Sequence, residues 1–385
     1  MLLCWMMVAG LAATLPPQSA FGQVLPLLPR AYDFPLAPAA EMLHVVQAPE
    51  VVLIHDAGRL IRLNPQTGRP HWIIDFERRI RWAGRHDHLL LLGTDFQLFA
   101  LDLASGAYMW KAGYVPDLSD SPYIDPEILR RTLGWALDAG SVCTVEQRGW
   151  VSAYDALTGR RRWQRQLPHV LTGLVAIRED RLFVGVRAGR RAGLMTLDLD
   201  CGESVHELWR DDDRQMDWLA FVPGRDLIIG GPDWVGRYAL RERPAWERIV
   251  PTVFRADGRA LLDGRVVGLT VDGVLVGYDV EDGRPVWRHE LPERPEMLAA
   301  WFVDGALFIS AGSEVGRLDP TRGEIRWSRP LSGGAVLAVC GIGSQLAVLQ
   351  SESVGVGPDP GRVVLLDSAD GTLRATSGRL EAPAD

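Results

Sequence analysis

Residues 153–163 read Ala153-Tyr154-Asp155-Ala156-Leu157-Thr158-Gly159-Arg160-Arg161-Arg162-Trp163. An Asp is followed four places on by a Gly, and the Gly four places on by a Trp. The same spacing returns at Asn64–Gly68–Trp72, Asp102–Gly106–Trp110, Asp279–Gly283–Trp287 and Asp319–Gly323–Trp327. Asp367–Gly371 opens another copy in which Ala375 stands in the Trp place, and Asp198–Gly202 a looser one whose Trp is read as displaced to Trp209. A degenerate eighth unit is read through Tyr238 to Trp246. The glycines recur at roughly 40–50 residues once the gap between Gly202 and Gly283 is halved, the length of one four-stranded propeller blade.

Each copy reads as a hairpin. A short apolar strand such as Val151-Ser152-Ala153-Tyr154 precedes the turn, and a second strand such as Pro285-Val286-Trp287-Arg288 follows it. The Asp side chain can bond its own backbone, and the Gly can take the positive φ that a tight connection requires. Two further strand-like runs precede each hairpin, for example Trp301-Phe302-Val303 and Ala306-Leu307-Phe308-Ile309-Ser310. Helical periodicity is nearly missing. The expected fold is all-β: an eight-bladed β-propeller with four-stranded antiparallel blades over residues 41–376, closed so that no long edge is left. Each repeat Trp is expected to bury its indole against the neighbouring blade, stabilising by ~2–3 kcal/mol.

The Ala-x-Asp-x-x-x-Gly-x-x-x-Trp pattern, as in Ala100-Leu101-Asp102 to Gly106 and Trp110, resembles the tryptophan-docking motif of the pyrroloquinoline-quinone (PQQ)-like propeller repeat. The motif is specific for the fold and weak for function. The resemblance extends both to quinoprotein dehydrogenases and to non-enzymatic propellers of the BamB type. The latter implies an exported scaffold that binds other proteins through its face and loops and assists insertion of outer-membrane β-barrels. The former implies a Ca²⁺ site, a catalytic Asp and, in the alcohol-oxidising class, an adjacent Cys pair. This chain has no Cys-Cys, and no catalytic Asp is carried over.

Composition narrows the reading. The formal charge of −8 disfavours nucleic-acid binding, which needs a basic stripe. Lys111 is the single Lys, a bias of composition rather than a site. Residues 1–22 read as a signal peptide, with Ala20-Phe21-Gly22 before the cleavage point, although no Lys or Arg precedes the apolar run. That run is short for a membrane span, and Cys4 lies too early to be a lipid-attachment cysteine. An exported, monomeric, bacterial periplasmic protein is expected, with an uncleaved N-terminal anchor as the alternative. Residues 23–40 read as a Pro-rich linker or arm and 377–385 as a flexible tail. Cys143, Cys201 and Cys340 form no disulfide framework.

The search for chemistry leaves no catalytic, cofactor-binding or metal residue. The repeat Asp residues are turn residues. His86 and His88 lack a third ligand and read as a turn pair. Asp211-Asp212-Asp213 lacks the spacing of a Ca²⁺ loop. Arg160-Arg161-Arg162 and Arg190-Arg191 are local basic tips. Two insertions interrupt the period: one at 114–133, with Tyr114, Tyr123 and Glu127 as candidate interaction residues and a short helix capped at Asp125-Pro126-Glu127, the other at 351–361. Trp135, Trp150, Trp218, Trp234 and Trp301 fall outside the repeat positions, and an exposed group of them would mark an interface. The functional expectation is a non-catalytic scaffold with protein partners of the cell envelope and no cofactor. A divergent PQQ- and Ca²⁺-dependent dehydrogenase or other small-ligand propeller is the alternative.

Overall fold

The computed structural model describes residues 41–376 apart from 44, 47–51, 57–58, 64–69, 114–130, 139, 211, 213, 225, 240–243, 251–252, 292–297, 304, 333, 343 and 351–361. Each of eight successive sheets is built on a four-stranded antiparallel meander, and sheet 2 has a fifth strand besides. Sheet 1 runs through Glu41–Leu43, Val52–Asp56, Arg59–Leu63 and Pro70–Asp75; sheet 2 through Trp82–His86, Leu89–Gly93, Gln97–Asp102 and Tyr108–Gly113. Sheet 3 comprises Thr132–Asp138, Ser141–Glu146, Trp150–Asp155 and Arg161–Gln166; sheet 4 comprises Val170–Arg178, Arg181–Ala188, Arg191–Asp198 and Ser204–Trp209. Sheet 5 takes Trp218–Phe221, Asp226–Gly231, Trp234–Ala239 and Pro244–Ile249, and sheet 6 Phe254–Leu262, Arg265–Thr270, Val274–Asp279 and Pro285–Glu290. Leu298–Val303, Ala306–Ala311, Glu314–Leu318 and Ile325–Pro330 make sheet 7; Val336–Ile342, Gln345–Gln350, Arg362–Asp367 and Leu373–Thr376 make sheet 8. No α-helix occurs among the described residues, only the 3₁₀ turn Gln147–Gly149. These are the eight blades that the repeat predicts.

By contact density the described chain divides into two compact units, one of Arg78–Arg259 with Val280–Arg284, the other of 41–77, Ala260–Asp279 and 285–376. In the first unit, apolar side chains of consecutive sheets interleave. Leu89, Leu91 and Ala100 of sheet 2 meet Val142 and Tyr154 of sheet 3, and Cys143 and Val151 of sheet 3 meet Val184 and Met195 of sheet 4. The second unit repeats the arrangement between sheets 6 and 7 around Leu269 and Ile309, and between sheets 7 and 8 around Phe308 and Val348. The middle strands are buried on both faces, so they read as unbroken apolar runs such as Leu89-Leu90-Leu91-Leu92.

The hairpin joining the third and fourth strands is built as its sequence requires. Asp155 N–H donates to Arg160 O at 2.9 Å, and Gly159 N–H donates to Asp155 O at 2.9 Å. Gly159 has φ +68°, which that closure demands. The fourth strand then carries one extra residue: Tyr154 pairs with Arg161 but Ala153 with Trp163, so Arg162 is bulged out. The same one-residue shift places Met109 before Trp110, Val286 before Trp287 and Arg326 before Trp327. The bulge aims each indole at the next sheet. Trp163 N–H donates to Leu199 O at 2.7 Å, Trp246 to Val280 O at 3.0 Å, Trp287 to Pro320 O at 2.9 Å and Trp327 to Ser368 O at 3.3 Å. In each case the acceptor follows the turn Asp, and in each case the ring lies flat on the turn Gly. A Cβ added to Gly202, Gly283, Gly323 or Gly371 would sit 2.5–2.7 Å from the indole of Trp163, Trp246, Trp287 or Trp327 respectively. Trp110 covers Gly159 in the same way.

The eighth unit read through Tyr238 to Trp246 is present as the third and fourth strands of sheet 5, and its indole docks in full, Trp246 being 8% exposed. One reading is corrected. Trp209 is not a displaced docking Trp. Thr196 pairs with His206 where Ala153 pairs with Trp163, so His206 holds the docking place, and Trp209 lies further along the strand opposite Gly193. Asn64 and Gly68 lie outside the described residues, as do the residue ranges assigned to signal, arm and tail.

Gly159→Ala introduces a left-handed alanine and a collision with Trp110, and is expected to cost about 2–4 kcal/mol. Gly224→Ala, at φ +96° with nothing within 4 Å of the added methyl, carries only the backbone part, about 1–2 kcal/mol. Thermal unfolding of the two variants side by side checks this; equal shifts would show that indole packing adds nothing.

Candidate interaction surface

The charged residues of the repeat serve the fold. Asp155 divides its carboxylate: Oδ1 accepts from Thr158 N–H at 2.9 Å and Thr158 Oγ1 at 2.8 Å, while Oδ2 accepts from Arg162, the bulged residue, at 3.0 Å. Asp319 does the same with Thr321 and Arg326. Asp102 accepts from Ser105, and Asp198 from Cys201, whose thiol fills the hydroxyl's place at 3.4 Å. Asp279 accepts from Arg265 at 2.6 Å. These donors favour the ionised form. The Thr158 hydroxyl and the Arg162 guanidinium pull the Asp155 carboxyl down to about 2. Hydrogen bonds from Thr321 and Arg326 hold Asp319 well below the usual carboxylate range, and Cys201 and Ser105 lower Asp198 and Asp102.

No group of three or more His, Cys, Asp or Glu is gathered for a metal among the described residues. His86 ends one strand and His88 sits in the following turn, hydrogen-bonded to Asp87 at 3.2 Å. Asp212 is engaged by Arg210, while Asp211 and Asp213 lie outside the described residues. Tyr114, Tyr123, Glu127, the helix expected at 125–127 and the loop 351–361 also lie outside them. Cys143 and Cys340 are buried and Cys201 exposed; burial in sheet 3 pushes the Cys143 thiol up. The five extra Trp residues form no exposed cluster. Trp218 and Trp234 are 4% and 1% exposed, and Trp135, Trp150 and Trp301 are half-buried.

What the surface does present is apolar side chains on the fourth strands. The bulge lifts Met109, Val205 and Val286 to 53%, 46% and 45% exposure, and Tyr108, Ile325 and Leu373 lie just before the bulged residue of their strands. Tyrosine and methionine are residue types enriched in protein–protein contacts.

The contact between sheets 4 and 5 has no indole seated on a glycine and went unread in the sequence. Sheet 5 has no Asp-x-x-x-Gly turn at 239–244, so an indole from sheet 4 would have no glycine to lie on, and His206 stands there instead. Arginines take over. Arg210, buried, grips Asp212 through Nε at 2.8 Å and Nη2 at 2.6 Å, donates to the Tyr238 hydroxyl at 2.6 Å, pairs with Glu247 and lies 4.0 Å over the Trp234 ring. Arg178 reaches Val222 O at 2.9 Å and Gly224 O at 2.7 Å while lying over Phe221, which meets Phe183 edge to face. The one available signal was the simultaneous loss of the Trp and of the following Gly.

The family model described as "Outer membrane protein assembly factor BamB" matches residues 147–215 and 206–379, together more than half the chain. No curated protein matches in sequence. Among solved structures, BamB from Moraxella catarrhalis superposes with a TM-score of 0.60 at 15% identity, over 90% of this chain and 98% of that one. Dihydro-heme d1 dehydrogenase NirN, in complex with DHE, gives 0.62 at 14%, over 91% and 75%. A quinohemoprotein alcohol dehydrogenase from Pseudomonas putida HK5 gives 0.55 at 12%, over 79% and 67%. At such identities the likeness shows the fold, an all-β eight-bladed propeller, and not an activity.

Two outcomes follow. Arg210→Ala strips a nearly buried cation from Asp212, Glu247 and the Trp234 face, and is expected to cost about 2–4 kcal/mol, against less than about 1 kcal/mol for Arg284→Ala, whose partner pair is exposed; denaturant titration reads both. The lowered carboxyls stabilise in full above about pH 4 and lose that contribution as pH falls toward 2. Stability measured from pH 7 to 2 is therefore expected to stay level and then drop, and Asp155→Asn to be weaker at pH 7 with a shallower acid limb.

Proposed function

The chain belongs to the family described as outer membrane protein assembly factor BamB, and on that premise we propose that it is an exported, non-catalytic propeller scaffold for protein–protein interaction in the periplasm. Its partners are proteins of the cell envelope, and its setting is outer-membrane protein assembly. The observation that carries this reading is the engagement of the repeat carboxylates. Those of Asp102, Asp155, Asp198, Asp279 and Asp319 all accept hydrogen bonds inside their own blades. They are therefore poor candidates for a general base, whose lone pair must face a substrate.

The dehydrogenase alternative draws on the likeness to the two dehydrogenase structures, which extends to fold alone. A calcium-held quinone needs several oxygen ligands converging on one point; among the described residues no three His, Cys, Asp or Glu side chains gather at one point. No helix among the described residues is long and apolar enough to cross a membrane.

Two measurements on the full-length chain decide between the readings. Photo-crosslinking from Met109, Val205 and Val286 in the native envelope fraction is expected to yield a small set of adducts, identified by mass spectrometry as envelope-assembly proteins. Calorimetry with PQQ and Ca²⁺ is expected to give no stoichiometric heat; tight one-to-one binding with dye-linked alcohol oxidation would replace the scaffold with an enzyme.

A further inference from the structure

The outer strand of a sheet exposes a row of backbone donors and acceptors, and proteins blunt such edges with Pro, Lys or inserted charge. Seven of the eight fourth strands carry a Pro or a cationic residue: Pro70 in sheet 1, Lys111 in sheet 2, Arg161, Arg162 and Arg165 in sheet 3, Pro244 and Arg248 in sheet 5, Pro285 and Arg288 in sheet 6, Arg326, Arg329 and Pro330 in sheet 7, Arg374 in sheet 8. Ser204-Val205-His206-Glu207-Leu208-Trp209 in sheet 4 has no Pro, Lys or Arg, and its one carboxylate is the exposed Glu207. It also closes the sheet with the longest inner strands, and a histidine, His206, stands in its docking place.

Its hydrogen-bonding phase is set by Arg210 N–H, which donates to Ala192 O at 2.9 Å. Along an antiparallel strand the inward-bonded residues alternate, so His206 and Leu208 face the neighbouring strand and Glu207 and Trp209 turn their N–H and C=O groups outward. Among the described residues no strand pairs with that edge. The side chains there are fixed. Trp209 N–H donates to Glu207 Oε2 at 2.9 Å, His169 meets the indole edge to face at 4.9 Å, and Arg191 stacks on it at 5.4 Å. Glu207 and Val205 remain exposed. A strand laid antiparallel on this edge would place one residue opposite Glu207, where a cation is favoured, and one two places away opposite Trp209, where an aromatic or branched side chain is favoured.

We propose that the outer edge of sheet 4 is a strand-addition site for an extended segment of a partner protein, carrying a basic residue two places from an aromatic or branched apolar one. Main-chain hydrogen bonds supply the binding and the alternate side chains the selection. A second copy of this chain is the poorer occupant, since two-fold pairing centred on Glu207 sets the two carboxylates against each other. The proposal rests on the interaction reading above and names the partner's chemistry at one edge.

The test uses the full-length protein and the peptide acetyl-Thr-Tyr-Thr-Lys-Thr-Val-Thr-amide carrying a fluorescent label. Saturable binding is expected by anisotropy. N-methylation of Tyr, Lys and Val, whose amides meet the edge, is expected to weaken it by more than about tenfold, while N-methylation of the Thr residues leaves it within about twofold. Glu207→Lys, at an exposed position that leaves folding intact by circular dichroism, is expected to weaken the Lys peptide roughly five- to tenfold and to strengthen the Glu-for-Lys peptide by a similar factor. No saturable binding, equal sensitivity to both methylation patterns, loss of charge reciprocity, or a dimer in sedimentation velocity that Glu207→Lys abolishes would each overturn the proposal. A protein that still captures envelope proteins by crosslinking under any of those outcomes keeps the scaffold function and loses this site.

Discussion

One contact organises this molecule: an indole from one sheet lying on a glycine of the next, with its N–H on the carbonyl three residues before that glycine. The contact makes several separate demands. The glycine must lack a Cβ, because an added carbon would fall within 2.7 Å of the ring. It must also adopt a left-handed φ, which closes the turn from Asp to Gly. The indole must turn off the regular pleat, and the one-residue bulge before it does so. The Asp then holds the turn through one oxygen and, in sheets 3 and 7, the bulged Arg through the other. Each residue of the repeat is fixed by another, so the repeat offers many recognisable residues and few that are chemically available.

Where the contact is lost, the interface is rebuilt by different physics. Between sheets 4 and 5 a planar guanidinium replaces the planar indole. Arg210 stacks on Trp234 as an indole stacks on a glycine, and its fixed fork of donors takes up Asp212, Tyr238 and Glu247. Arg178 caps the carbonyls of Val222 and Gly224. The apolar cluster of Leu174, Phe183, Leu219 and Trp234 beneath them is continuous across the two sheets. Packing at the seam is retained, and only the outer fastening differs.

The fold was legible because its signal is periodic. A spacing of Asp, Gly and Trp repeated along the chain leaves few alternatives, and the strand pattern, turn type and burial of Trp72, Trp163 and Trp246 agree with it. Trp209 reads as a shifted docking residue because it is the nearest Trp, whereas the bulge counts places from the turn and gives the position to His206. Trp246 looked degenerate because its own hairpin lacks the Asp-Gly turn, yet an indole docks on the following sheet's glycine, Gly283, which is present. The sequence does not state the burial of the extra tryptophans, and Trp218 and Trp234 lie inside. The surface was least legible. Exposure of Met109, Val205 and Val286 arises from the bulge, and bulges leave no residue signature of their own.

The indole and its glycine sit on consecutive sheets, so the packing unit of this chain is a joint between blades and not a blade. A duplication cut at the sheet boundaries would separate ring from seat at both ends. One cut through the turn would carry each pair whole. Where sheet 5 offers no glycine, the facing position needs no ring, and His206 occupies it.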